Sequence, residues 1–139
     1  MNAYGALIDT GPLVAFLNRR DRHHAWACTV FGEVRGPYLT TEANLAEACH
    51  LLEREAVKGA LQLFKLLDSG LIQSEAVSDV LSLVQAKVAL FKDRRVDFAD
   101  ACLLVLAERH GRLPLITTDR ADFVVYFRGR QRRLVMPPA

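Results

Sequence analysis

Asp97–Asp119 reads D-F-A-D-A-C-L-L-V-L-A-E-R-H-G-R-L-P-L-I-T-T-D: a helix opened by two carboxylates, a break, and a short strand running into a third carboxylate. Leu103, Leu104, Leu106 and Ala107 give the helix an apolar side broad enough to lie against a sheet. Gly111 suits the left-handed residue that ends a helix, and Pro114 prevents the helix from resuming. Leu115-Ile116-Thr117-Thr118 is β-branched and apolar enough for a buried strand. A strand that follows a packed helix runs back beside it, so its C-terminal end lies near the helix N-terminus. Asp97, Asp100 and Asp119 are therefore expected on one edge of the molecule.

Other segments reach the same edge. Ala6-Leu7-Ile8 ends in Asp9, followed by Thr10-Gly11-Pro12 and an apolar helix from Leu13 to Asn18, with Pro12 suited to a first helical turn. Asp9 thus stands at a strand end facing a helix N-terminus, where capping alone would account for it. Ala25–Val34 reads as a second helix, broken by Gly36-Pro37, and Tyr38–Thr41 as a second strand. Ala43–Arg54 follows as a helix with Leu45, Ala48, Leu51 and Leu52 inward. Glu47 lies in its first turns among apolar neighbours, an uncommon setting for a glutamate. Lys58–Ser69 is a further helix closed by Gly70, and Leu71-Ile72 opens a third strand. Val77, Leu81, Val84, Val88 and Phe91 form a stripe at helical intervals, suited to core or to a dimer face. After Asp119, Phe123–Phe127 and Leu134–Met136 read as two edge strands around a basic turn. Alternating strands and helices call for an α/β fold with a central, mostly parallel sheet covered on both faces. Sites in such sheets lie beyond the carboxyl ends of the strands, where Asp9, Glu47, Asp97, Asp100 and Asp119 all map.

With 139 residues, half of them apolar and no repeat, residues 1–139 are expected to form a single domain. A chain of this size buries roughly 68% of its unfolded surface without disulfides or structural metals. The longest apolar run, Ala101–Ala107, is too short for a membrane span, and the N-terminus lacks the basic and apolar regions of an export signal. A cytoplasmic protein with no membrane partner is expected. Cys28, Cys49 and Cys102 are widely spaced in apolar helical contexts; they read as reduced core thiols, without the paired spacings of a zinc site. The net charge of +2 is too small to announce nucleic acid, but basic residues cluster at 19–22, 92–95 and 128–133.

Two carboxylates about 5 Å apart repel by roughly 3 kcal/mol at an effective dielectric near 20. A cleft holding four or five of them needs protons or cations. Oxygen donors without histidine or cysteine select hard ions, so Mg²⁺ or Mn²⁺ is the natural filling. Such ions bind phosphate, acidify a bound water and stabilise a leaving oxygen, which suits phosphodiester hydrolysis. An acidic cleft repels a polyanion, so a basic rim is also needed, and Lys92, Arg94, Arg95 and Arg120 are close in sequence to the acids. Taken singly, each is equally an ordinary solvated charge.

I-D-T-G-P-L, L-T-T-E-A-N-L-A-E-A-C-H-L-L, D-F-A-D-A-C-L-L-V-L-A-E-R and I-T-T-D-R-A-D-F, in this order from Leu7 to Phe123, resemble the PIN-domain nucleases. The resemblance implies a three-layer α/β/α fold and Mg²⁺- or Mn²⁺-dependent cleavage of RNA. It implies Asp9, Glu47, Asp100 and Asp119 as the catalytic and metal-holding acids and Asp97 as an accessory one. Thr10 and Thr118 match the small polar residues that orient carboxylates. Glu47 is preferred to Glu42 because Ala48-Cys49-His50-Leu51-Leu52 follows it, as in the matching motif. Single-domain chains of this length resemble the VapC toxins of bacterial toxin–antitoxin pairs, which implies a homodimer and a small antitoxin docked across the cleft. One alternative is a PIN-like RNA-binding or RNA-processing module without a toxin role. Another is a receiver-type phospho-acceptor domain, which needs an acceptor aspartate ending the middle strand and a lysine after the last; the sequence supplies neither.

Overall fold

Alternation of apolar side chains along short strands sets the architecture. The computed structural model describes residues 3–56 and 58–139. Strands β1 (Ala6–Ile8), β2 (Tyr38–Thr40), β3 (Ile72–Ser74), β4 (Leu115–Ile116) and β5 (Leu134–Val135) form a parallel sheet in the order β3-β2-β1-β4-β5. Leu7 pairs with both Leu39 and Leu115, which centres β1. The connecting helices are α1 (Thr10–Leu17), α2 (His24–Glu33), α3 (Glu42–Glu55), α4 (Gly59–Ser69), α5 (Leu81–Leu90), α6 (Phe98–Arg109) and α7 (Arg120–Tyr126).

Leu7, Leu39 and Leu115 point to one side of the sheet and pack with Val84, Leu103, Leu106, Phe123 and Tyr126 of α5, α6 and α7. Ala6, Ile8, Tyr38, Ile72 and Ile116 point to the other and meet Leu13, Val30, Ala48, Leu52 and Leu63 of α1 to α4. The result is the expected α/β/α sandwich. From β1 the chain steps outward to β2 and β3, then returns to β4 on the opposite side, so the winding reverses between β1 and β4. A crevice opens at the carboxyl ends of strands at such a reversal. Among the described residues, no helix is long and apolar enough to cross a membrane.

Four local expectations are corrected. Residues 120–126 are helical, where an edge strand over Phe123–Phe127 was expected. Asp119 accepts the Asp122 N–H at 3.1 Å to start α7, and Phe123, Tyr126 and Phe127 are buried while Val124 is 44% exposed, a helical and not an alternating pattern. Gly111 is not left-handed: α6 ends through His110, whose N–H bonds the Leu106 carbonyl. The left-handed glycines among the described residues are Gly70, which closes α4 as expected, and Gly129. Of the stripe on α5 and its approach, Val77 and Val84 are buried and Phe91 is half-buried, whereas Leu81 and Val88 are exposed beside Phe98. Cys28 is exposed and so is not a core thiol, whereas Cys102 is buried and Cys49 is half-buried against the core on the α1 to α4 side.

The helical assignment of 120–126 predicts unequal costs for neighbouring substitutions. Phe123→Ala should destabilise the protein by about 3–5 kcal/mol, and Val124→Ala by no more than about 0.5 kcal/mol, read from urea unfolding midpoints.

Candidate active site

Asp9 follows β1 and is buried. Its Oδ1 accepts the Thr10 N–H at 2.8 Å and the Asn44 Nδ2 amide at 3.4 Å, and its Oδ2 accepts the Thr117 hydroxyl at 2.8 Å. Capping of α1 and membership of an acid cluster are thus properties of one carboxylate, not rival readings. Asn44 also donates to Thr10 Oγ1 at 3.1 Å and accepts the Thr41 hydroxyl at 2.5 Å, while Thr41 caps α3 by accepting the Asn44 N–H. Donors from the β1–α1, β2–α3 and β4–α7 connections therefore meet on Asp9. Burial pushes its carboxyl up to about 6; the Thr117 and Thr10 bonds work against that, and the charges of Glu47 and Asp119 add to it.

Asp100 lies in the first turn of α6, half-buried, and its Oδ2 accepts the Tyr126 hydroxyl at 3.4 Å. Burial first, then the charges of Asp9, Asp97, Asp119 and Glu47, push it up to about 8. Asp97 is exposed and caps α6, its Oδ1 accepting the Asp100 N–H at 2.8 Å. Asp119 caps α7, and its own N–H donates to Thr117 Oγ1 at 3.0 Å. Burial raises its carboxyl, and the Arg94 guanidinium opposes the rise. Glu47 is half-buried, one turn beyond Asn44 on α3, and its charge bears on both Asp9 and Asp100. The five acids singled out from sequence thus act on one another at one edge, whereas Glu42 is exposed and is not among the leading influences on Asp9 or Asp100.

Among the described residues, no three histidine, cysteine, aspartate or glutamate side chains form a ready-made coordination group. The donors at this edge are nevertheless all oxygens, and Asp9 and Asp100 are dominated by burial and like charge, with no cation among their leading influences. Such a cleft is short of positive charge and fits a hard divalent ion, for which Asp9, Glu47, Asp100 and Asp119 are the available ligands.

The expected rim is only partly assembled at the acids. Arg94 donates to Asp122 Oδ1 at 2.7 Å and to the Ala121 carbonyl at 3.0 Å, beside Asp119. Arg120 is drawn to the Pro137 carbonyl at 2.9 Å. Lys92 and Arg95 are exposed on and just after the turn 92–94. Thr10 joins the Asp9 network, but the hydroxyl linking Asp9 to Asp119 is that of Thr117, not Thr118. Thr118 Oγ1 sits 2.0 Å from where a Cβ on Gly11 would lie, so a side chain at position 11 would displace the Thr118 hydroxyl. Consecutive threonines cannot be told apart by composition; the parity of β4 decides which one turns inward.

Asn44, Thr41, Tyr126 and Asp122 were not singled out from sequence. Thr41 and Asn44 carry a legible signal, a capping residue followed three positions later by a polar side chain, with Asn44 and Glu47 on one helical face. Tyr126 and Asp122 carried none while their segment read as a strand.

The reversed parallel sheet and the acid-lined crevice define an α/β protein with its site at the carboxyl edge. The PIN domain profile matches residues 6–126, most of the chain, and the chain belongs to the PIN domain family. Its structure is similar to that of Mycobacterium tuberculosis VapC20, described as a sarcin–ricin loop cleaving toxin. The two are 19% identical over 79% of this chain and 86% of that one, with a TM-score of 0.71. It is also similar to a toxin–antitoxin complex from Klebsiella pneumoniae, 21% identical over 85% of this chain and 89% of that one, with a TM-score of 0.60. At these identities the likeness is one of fold. No curated protein sequence matches the chain.

Two outcomes are expected from this geometry. Asp9 and Asp100 bind protons more tightly folded than unfolded, so without divalent ions stability should fall as pH rises from about 4 to 8. For Asp9 alone the cost above its folded pKa is on the order of 3 kcal/mol. Thermal unfolding with EDTA should show a lower Tm at pH 8 than at pH 5, and Mn²⁺ should raise Tm most at pH 8. Secondly, Thr117→Val removes a bond to the Asp9 carboxylate and should destabilise the protein at pH 8 by about 1.5–3 kcal/mol, whereas Thr118→Val should stay within about 0.5 kcal/mol, read from urea unfolding midpoints.

Proposed function

We propose that this chain is a Mg²⁺- or Mn²⁺-dependent endoribonuclease that hydrolyses RNA phosphodiester bonds, acting in the cytoplasm as the toxin of a toxin–antitoxin pair. The observation that carries the reading is the buried, three-donor anchorage of Asp9 beside an Asp100 whose proton affinity burial, and then the charges of four neighbouring acids, raise. Membership of the PIN domain family and likeness of fold to VapC20 and to a toxin–antitoxin complex support the rest. Asp9, Glu47, Asp100 and Asp119 would hold the ion, with Asp97 adding charge at the rim.

When bound, a divalent ion supplies Lewis-acid stabilisation of the phosphate and leaving oxygens and makes water more acidic. The chain's own contribution is orientation. Thr117 and Asn44 fix the plane of the Asp9 carboxylate, and Thr10, through its N–H, fixes its Oδ1. Tyr126 fixes Oδ2 of Asp100, and Thr117 positions the Asp119 backbone. Preset ligands spare the reacting complex the cost of ordering them. Lys92, Arg94, Arg95 and Arg120 provide positive charge against which the substrate strand rests.

A small antitoxin protein that covers the acidic crevice and a homodimer complete the proposal. The exposed Leu81 and Val88 of α5, with Phe98 of α6 beside them, form an apolar face suited to a second copy.

The test is cleavage of a structured RNA with and without Mn²⁺. Asp9→Asn and Asp100→Asn should each lower the metal-dependent rate by at least about 10³-fold while raising Tm in EDTA. Full activity in either variant, or phosphate uptake from acetyl phosphate in place of cleavage, would overturn the assignment.

A further inference from the structure

A groove of about 910 Å³ runs from Tyr126, whose hydroxyl reaches Asp100, toward the C-terminal end of α6, between α5, α7 and the segment 128–132. Lys87, Arg128, Arg130 and Arg132 line it against one carboxylate, Glu108. Glu108 does not cancel them so much as arrange them: it pairs with Lys87 and, at 3.6 Å, with Arg130. Arg132 is fixed over the Phe127 ring at 5.5 Å and donates to the Ala107 and His110 carbonyls at 2.5 and 3.1 Å, so its charge is held in place at the groove wall. Arg128 is exposed and borders the groove directly.

The groove is joined to the acid edge through one side chain. Tyr126 lines it, contacts the half-buried Phe91 ring at 4.9 Å, and donates its hydroxyl to Asp100. Phe91 and the exposed Leu90 offer apolar surface at the same end. Cations tracking one wall with an aromatic face beside them are what a single nucleic-acid strand needs, phosphates against the cations and a base against the ring. We propose that this groove binds the single-stranded RNA flanking the scissile phosphate and guides it onto the carboxylates. The proposal rests on the nuclease reading above. An acidic peptide would match the cations too, but it has no base to lay against the Phe91 and Tyr126 rings. An RNA strand has one, and its cleavable bond lies where Tyr126 reaches Asp100.

The test uses the full chain carrying Asp9→Asn, which binds without cutting, and a fluorescein-labelled 12-nucleotide single-stranded RNA followed by anisotropy. Adding Arg128→Glu and Arg130→Glu should weaken binding by about tenfold or more and make the plot of log affinity against log salt shallower by about 1.4. Arg128→Ala with Arg130→Ala should move both readings in the same direction at an unchanged Tm. In the otherwise wild-type chain, the same pairs should raise KM for the 12-nucleotide RNA with kcat unchanged and leave cleavage of a dinucleotide unaltered. Unchanged affinity and salt slope would overturn the proposal. A polyglutamate peptide that binds the wild-type chain but not the double variant, while RNA binds both alike, would overturn it in favour of an acidic protein segment. Groove-dependent RNA binding by a chain that cleaves nothing with Mn²⁺ would sink the nuclease reading and leave the groove standing as an RNA site.

Discussion

The arrangement depends on keeping one carboxylate, Asp9, out of water at the end of the central strand. A lone buried aspartate is costly, and here burial does lift its affinity for a proton. What makes the position tolerable is the set of donors that converge on it from three separate connections, Thr10 after β1, Asn44 after β2 and Thr117 after β4. Each donor sits within a few residues of a strand end, so the sheet register places all of them at once. A slip of one residue in β4 would turn Thr117 to the opposite face and strip Asp9 of its strongest side-chain partner.

The acids collect at this edge because of how helices begin. Asp9, Asp97 and Asp119 each accept a backbone N–H at the start of the helix that follows, and a helix N-terminus carries partial positive charge that favours an anion. A parallel α/β sheet directs several helix starts to one side, so capping aspartates become neighbours. Helix starts relieve each acid singly. They do not relieve the repulsion among acids, which adds to burial in raising Asp100, on the first turn of α6, to about 8. Divalent ions would supply the missing charge.

The two outer surfaces of the α5 and α6 layer differ in character. The face of α5 bearing Leu81 and Val88, with Phe98 of α6 beside it, is apolar, while the groove on the α7 side is cationic. Apolar association and phosphate binding are thus available on separate surfaces of one layer, and Tyr126 ties the second of them to the acid edge.

The alternation of strands with helices, the stop at Gly70 and the placement of Asp9, Glu47, Asp97, Asp100 and Asp119 at strand and helix boundaries were legible in the residues themselves, because periodicity and capping are local properties. The helix at 120–126 was not: its valines and aromatics suit a strand equally, and only the burial of Phe123, Tyr126 and Phe127 against the sheet selects the helix. The same holds for Gly111, which no left-handed turn requires once His110 closes α6. Sequence alone determined which residues could gather at the carboxyl edge. Tertiary structure decided which hydroxyl, Thr117 or Thr118, holds Asp9, because that depends on strand parity and on the distance between β1 and β4, quantities that no single segment contains.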